Sequence, residues 1–309
     1  MENQATQKRP FFNKLVLIGV GLIGGSFALS LKKARAVTHI VGLDRHLTYL
    51  EAAKRLGIID SFTDDMASAV ADADLIVIAT PVAQTAKILS AIYPYLQANT
   101  IVTDAGSTKA DVVTAARASL QEKISQFVPA HPIAGREKNG PEAAIDDLYV
   151  GKKVVITRLA ENSNQAVELV AQAWRLCGAM IHYLSPKEHD QVFASVSHLP
   201  HLLAYALVDD IAAKPHADRL FQYAASGFRD FTRIAGSSPE MWRDISLANR
   251  DAILEELDSY SLKLKQLRAS LEASDSLALE SIYSRAQTAR VNWINAIEAA
   301  EAQNKDGGD

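Results

Sequence analysis

The chain has one cysteine, Cys177, in 309 residues. A single thiol forms no intrachain disulfide and builds no multi-cysteine zinc or iron–sulfur site, so a reducing, cytoplasmic setting is the simplest expectation. An excess of charge is also missing. The 32 Lys and Arg stand against 36 Asp and Glu, a formal net charge of −4, without the basic surplus of a domain that wraps nucleic acid. With 48% hydrophobic and 22% charged residues, wholesale disorder and collagen-like or low-complexity architectures are excluded. Membrane-spanning runs are absent from this reading too. The uncharged stretch Leu15–Leu31 follows Lys8, Arg9 and Lys14 as a signal-peptide core would. However, it contains Gly19, Gly21, Gly24 and Gly25 and is closed by Lys32 and Lys33. No other segment approaches the ~20 apolar residues that cross a bilayer, and no membrane association is expected.

What is present is an alternation. At roughly 150 residues per domain the length predicts about two domains. Lys14–Gly19, His39–Asp44, Leu75–Thr80 and Thr100–Asp104 are short, near-continuous aliphatic runs, as in strands covered on both faces. Helical spacing fills Leu47–Leu56 and Thr85–Leu96 between them. Phe127–Ala130, Lys153–Thr157 and Met180–Leu184 are further strand candidates, with a helix over Asn164–Cys177. This is α/β patterning, a doubly wound parallel sheet of Rossmann type over residues 11–185. From Pro186 no convincing strand remains, and residues 186–300 read as an all-α domain. Two heptad-like stripes run there, Ile253, Leu257, Tyr260, Leu264, Leu267, Leu271 and then Ile282, Ala286, Ala289, Trp293, Ala296, Ala300. Asp275 and Ser276 between them suit a helix cap, so a helical hairpin is expected. The stripes either pack within one chain or bury a homodimer interface, and dimerisation is the favoured reading. Residues 1–10 and 301–309 are polar and expected to be flexible.

Gly19-Val20-Gly21-Leu22-Ile23-Gly24 is G-x-G-x-x-G, placed after a strand candidate and before a helix candidate. Asp44 closes the next strand candidate, at the distance where a dinucleotide-binding domain carries its ribose-binding carboxylate. Gly19 permits a tight turn, Gly21 lets the backbone approach a pyrophosphate, and Gly24 lets helix and strand pack closely. The helix N-terminus then offers free N–H groups to phosphate. A carboxylate at Asp44 favours NAD over NADP, although Arg45 beside it is of the type that accommodates a 2′-phosphate. Leu22 and Ile23 in the loop, and Thr80 and Pro81 at another strand end, complete the expected cofactor set.

Several polar segments carry candidate chemistry. Asp104-Ala105-Gly106-Ser107-Thr108-Lys109 follows a strand candidate, so Ser107 either faces a ligand in the crevice at the carboxyl end of the sheet or caps the next helix. His131, before Pro132, is extended rather than helical and, at a strand end in that crevice, would serve as a general base near neutral pH. Its alternative is a purely structural histidine. Ser197-His198-Leu199-Pro200-His201, with His189 upstream, suggests a metal, but the spacing matches no ligand pattern and no acidic ligand is placed with it, so none is expected. Around Gly227–Asp244 lie Arg229, Arg233 and Arg243 with large apolar side chains. Arg229 and Arg233 would share a helix face and suit a planar carboxylate. The alternative is ion pairing with Asp230 and Asp244.

Taken together, GVGLIGGS at 19–26, DAGSTK at 104–109, HPIAGREKNG at 131–140, SHLPH at 197–201 and GFRDFTRIAGSSPEMWRDI at 227–245 resemble the prephenate/arogenate (cyclohexadienyl) dehydrogenases of tyrosine biosynthesis. The likeness runs from about Phe11 to Ala300. It implies NAD-dependent oxidative decarboxylation: hydride leaves the carbinol carbon for the nicotinamide, the ring carboxylate departs as carbon dioxide, and the ring aromatises. By resemblance, His131 accepts the proton of the substrate 4-hydroxyl, Ser107 orients that hydroxyl, and Arg233 clamps a carboxylate. His201 lines the pocket, with Ser197 and Arg229 in the substrate-binding set. It further implies a homodimer through the helical domain, no metal, no nucleic-acid partner, and no room for a fused mutase or regulatory domain. Any feedback by tyrosine is then expected to be competitive. A β-hydroxyacid dehydrogenase of similar build, or a nucleotide sensor without turnover, are the alternatives. The former lacks a lysine in a recognisable context, and the latter has no need of His131, Ser107 and Arg233 together.

Overall fold

A computed structural model describes residues 10–306 except Glu137, with side chains to residue 299. The rest of the expected tails, residues 1–9 and 307–309, lies outside the described residues. Two compact units form, one ending at Ile253 and one beginning at Leu254.

Six strands of the first unit make a parallel sheet: β1 (Phe12–Ile18), β2 (Val37–Leu43), β3 (Ser61–Phe62), β4 (Leu75–Ile78), β5 (Ile101–Asp104) and β6 (Phe127–Val128), in the order β3-β2-β1-β4-β5-β6. This is the doubly wound nucleotide-binding order. The aliphatic runs are continuous because each strand feeds two cores. Leu15, Leu17, Leu75 and Val77 point into one, with Phe27 and Trp174 from helices Leu22–Lys33 and Asn164–Leu176. Val16, Ile18, Ile76 and Ile78 point into the other, with Leu89, Val112 and Ala116 from helices Thr85–Ile92 and Ala110–Leu120. Successive side chains alternate faces, so a strand covered on both sides has no polar position. The register sets Ile18 beside Leu43 and Ile78, and Ile78 beside Asp104. The carboxyl ends of β2, β1, β4 and β5 are therefore level, and everything that follows them converges on one edge.

The run Phe127–Ala130 is not one strand. After β6 the chain passes Pro129, which has no N–H to give a ladder. Ala130 then donates its N–H to Asp104 Oδ1 (3.0 Å). The chain there enters a second sheet, β7 (Ala130–Pro132), β8 (Lys153–Ile156) and β9 (Met180–Tyr183), in which β7 runs antiparallel to β8. Pro132 is tolerated because β7 is an edge. His131 is thus mid-strand in the second sheet, opposite Val155, and not at the end of a main-sheet strand as the sequence reading had it.

Beyond β9 the described residues hold no further strand. Helix Pro186–Phe193, a π-turn Ala194–His198 and helix Leu199–Ala212 run on continuously. The whole, Pro186–Ala212, has a mean hydropathy of 1.2 and is long enough to cross a membrane by length and composition alone, a candidate the sequence reading passed over. Its buried face carries His189, Asp190 and His198, groups that bond to the rest of this unit.

In the second unit, helix Arg250–Glu272 continues from the first and is followed by helix Ser276–Asp306. Asp275 caps the latter, its Oδ1 accepting from Ala278 N–H (2.9 Å). The two expected helices and the cap between them are there.

Candidate functional site

At the carboxyl end of β1, Gly19 takes a φ of +95°, and a Cβ there would stand 2.5 Å from the Ala79 carbonyl oxygen. A Cβ on Gly24 would stand 2.2 Å from the Gly19 oxygen, so the helix lies directly on the turn. Gly21 differs: a Cβ there would meet no atom within 4 Å. It is the N-cap of helix Leu22–Lys33, whose first turn has no side-chain cap and no acidic residue. The outward N–H groups and the positive helix end therefore face an approachable surface. Leu22 is buried in the core, and the Ile23 carbonyl accepts from Tyr149 Oη (2.6 Å), which fixes the helix start. Asp44, just past β2, reaches across to the loop, accepting from Val20 N–H (3.2 Å) and His46 N–H (2.9 Å). Arg45 beside it is exposed, its Nε donating to His46 Nε2 (2.9 Å). Past β4, the Thr80 hydroxyl is buried with no hydrogen-bond partner, and Pro81 next to it is exposed.

Behind β5 lies a buried polar cluster. Lys109 is fully buried and its Nζ is bonded to Asp104 Oδ2. That carboxylate also accepts from Gly106 N–H (2.9 Å) and Ala130 N–H (3.0 Å). Burial pushes the Asp104 carboxyl up, against the pull of Lys109 and the two amides. The Ala130 bond brings β7 against β5 and delivers His131 to the cluster. His131 Nδ1 lies 2.8 Å from His189 Nε2, and His189 Nδ1 lies 2.7 Å from Asp190 Oδ1. The Asp190 oxygens in turn accept from the N–H groups of Lys109 and Ala110, each at 2.8 Å. They cap helix Ala110–Leu120 from another element. Burial holds His131 well below the usual histidine range, helped by His189, Lys109 and His198. The same cause pulls His189 down to about 2. Phe193, one turn beyond His189, lies against both rings, with centroids 4.9 and 4.5 Å away.

The helix bearing these groups starts at a capping box between Ser185 and Glu188. Its π-turn falls just before Pro200, which cannot donate back along the helix. It presents His198 and His201 beside His189 and Asp190. His198 Nδ1 accepts from Asn249 Nδ2 (3.0 Å), which also donates to the Asp190 carbonyl (2.8 Å). His201 Nδ1 donates to the Ser197 carbonyl (2.9 Å), and its ring stacks on Trp242 at 3.6 Å. Burial, then the charge of Arg233, lowers the His201 pKa against the Ser197 bond. Arg233 is thus brought to His201. Arg229 points to solvent, 81% exposed, with Asp230 at 3.9 Å. The helix of Arg229 ends at Thr232, and Arg233 opens a 3-10 turn directly after it. Arg243 pairs with Asp244 (2.6 Å). Ser107, half-buried at the same edge as Gly19 and Asp44, caps no helix. Lys109 stands at the N-cap, and Asp190 does that work.

Residues 27–183 match the family description "Prephenate dehydrogenase, nucleotide-binding domain", and residues 185–283 match "Prephenate dehydrogenase, dimerization domain". The chain belongs to the prephenate dehydrogenase family. A cyclohexadienyl dehydrogenase of Zymomonas mobilis is 35% identical over 91% of this chain and 96% of its own length. A prephenate dehydrogenase of Bacillus subtilis is 39% identical over 84% of this chain and 71% of its own. Among solved structures, prephenate dehydrogenase from A. aeolicus in complex with hydroxyphenyl propionate and NAD+ superposes with a TM-score of 0.81 at 36% identity, over 88% of this chain and 95% of that one. In this prephenate dehydrogenase-family chain the glycine turn, the approachable Gly21 edge, Asp44 and the unpartnered Thr80 hydroxyl fit a bound dinucleotide.

Sequence reasoning passed over Asp104, Lys109, Asp190, Asn249 and Trp242. Asp190 had a signal: it adjoins His189, the histidine read only for metal and judged to have no acidic neighbour in place. Asp104 and Lys109 flank Ser107 in a strand-end segment, but their pairing with each other is visible only in the fold. Trp242 lies in the arginine-bearing segment singled out in the sequence, without a role of its own there, and Asn249 left no pattern to find.

Proposed function

We propose that this chain converts prephenate, L-arogenate or both to 4-hydroxyphenylpyruvate or L-tyrosine by NAD-dependent oxidative decarboxylation. The observation that carries the reading is His131. It is buried and neutral, and it is tied through Ala130 and Asp104 to the carboxyl end of β5, at the same sheet edge as the glycine loop. NAD, when bound, supplies the hydride acceptor. His131 takes the proton of the substrate 4-hydroxyl, as a neutral imidazole held near the reacting atom can. Ser107 orients that hydroxyl. Arg233 holds a substrate carboxylate, and His201, Ser197 and Arg229 complete the substrate side. Gly19, Gly21, Leu22, Ile23, Gly24, Asp44, Arg45, Thr80 and Pro81 make the cofactor side. Residues 11–185 act as the nucleotide domain and 186–300 as the substrate and dimerisation domain. The chain works as a cytoplasmic homodimer. Support for the dimer comes from the dimerization-domain match and from the apolar side chains exposed on the last two helices.

The test is NADH formation with each substrate, with kcat/KM compared for NAD and NADP. His131→Asn should lower kcat by ~10²- to 10⁴-fold, the range of a lost general base, while NAD binding persists. Absence of turnover on both cyclohexadienols would sink the reading.

A further inference from the structure

His189 and Asp190 have no role in the chemistry proposed above, yet they form one line of hydrogen bonds with His131. The direction of every bond in that line is fixed by what each atom can do. Asp190 is an acceptor already engaged by two backbone N–H groups. The His189 Nδ1 facing its carboxylate at 2.7 Å therefore carries the hydrogen. A neutral imidazole has one N–H, so His189 Nε2 is a lone pair. It faces His131 Nδ1 at 2.8 Å, so His131 Nδ1 must donate. The acceptor of the His131 ring is then Nε2.

We propose that His189 and Asp190 are positioning residues that lock His131 in its Nδ1–H tautomer, leaving Nε2 as the base that receives the substrate proton. The inference rests on the reading of His131 as that base. When the O–H bond of the substrate breaks and its proton joins Nε2, the new positive charge on His131 is shared through Nδ1–H toward His189 and the Asp190 carboxylate. No proton needs to move along the line. Phe193 packs on both rings and holds them in this alignment. Asn249, donating to the Asp190 carbonyl, holds the helix turn that carries Asp190. The carboxylate is oriented by the N–H groups of the helix it caps, so the tautomer of the base is set from the start of that helix. This is the logic by which a buried carboxylate orients a catalytic histidine in hydrolases.

The experiment is ¹⁵N NMR of ring-labelled histidine in the full chain, with kinetics on three variants. Wild-type His131 is expected to carry its hydrogen on Nδ1. In Asp190→Asn the amide N–H can donate to His189, which reverses the line and moves the His131 hydrogen to Nε2. There kcat should fall ~10²- to 10⁴-fold, with KM for NAD within about twofold of wild type. His189→Gln keeps an acceptor facing His131 Nδ1 and should retain kcat within about tenfold. His189→Phe keeps the bulk without the acceptor and should match Asp190→Asn. A wild-type His131 protonated on Nε2 overturns the proposal even if no variant folds. So does an Asp190→Asn enzyme with unchanged kcat, or equal losses in the two His189 variants. Failure of His131→Asn to lose activity would instead overturn the reading of His131 as base and leave the ring tautomer measurable by itself.

Discussion

At the scale of single residues, the cost of keeping several histidines neutral inside the protein should be measurable. His198 is buried, and its pKa is drawn down to about 4 by desolvation and, more weakly, by His201, against the attraction of Asp190. In the unfolded chain it titrates near about 6.5. Between these values the unfolded state holds a proton that the folded state lacks, so stability is full above about 6.5 and is lost as pH falls toward 4. His198→Asn keeps an acceptor for Asn249 Nδ2 and removes the titration. On acidification from pH 7 to 4, wild type should therefore lose ~3 kcal/mol relative to this variant, from about 1.4 kcal/mol per pH unit. Urea unfolding at a series of pH values reads this directly, and parallel curves for the two proteins would refute it. Single residues were unevenly legible in the sequence. The glycines announced themselves because the φ of +95° at Gly19, and a Gly24 whose Cβ would strike the Gly19 oxygen, tolerate nothing else. His198 was visible only as a histidine. Its partner Asn249 lies 51 positions away, and no local pattern encodes that distance.

At the scale of elements, the sequence located the buried strands well, because a strand covered on both faces must be apolar at every position. It failed where a fold departs from that rule. β3, only Ser61–Phe62, is too short to show a pattern. The break at Pro129 looked like the continuation of one strand, although it moves the chain into another sheet. What holds that break is the Asp104 carboxylate, shared between Ala130 N–H, Gly106 N–H and Lys109 Nζ. Both ionic partners are almost wholly buried, so removing one leaves the other charged and unpaired in a low dielectric. Lys109→Met should therefore destabilise the protein by ~3–5 kcal/mol. It should also detach β7 locally, with faster amide hydrogen exchange at Ala130 than in wild type. A double change, Asp104→Leu with Lys109→Met, should recover part of the loss, since an apolar pair of similar volume carries no desolvation penalty. A single variant as stable as wild type would mean that the pair does not secure this junction.

At the scale of the molecule, the sequence showed where strand patterning gives way to helix at Pro186, and the fold bears out a nucleotide-binding sheet followed by helices. It did not show that helix Arg250–Glu272 runs from one compact unit into the next, because a heptad stripe continues unchanged across such a boundary. The stripes themselves raise the question of what covers them. Leu264, Leu271 and Trp293 of the stripes, and Leu277, Tyr283 and Ile297 outside them, are all exposed in the single chain, Leu277 by 77%. A monomer rarely leaves so many large apolar groups in water, whereas a two-fold interface buries the same patch on each copy. If these residues form that interface, sedimentation should give a homodimer at micromolar concentration. Leu264→Glu together with Trp293→Glu should give a monomer, since the like charges would be repeated on both copies and face one another across the axis. Helix content by circular dichroism should be retained, as both side chains are solvent-facing in the single chain. Loss of turnover on dissociation would make the assembly part of the working enzyme, and a doubly substituted chain that still sediments as a dimer would place the interface elsewhere.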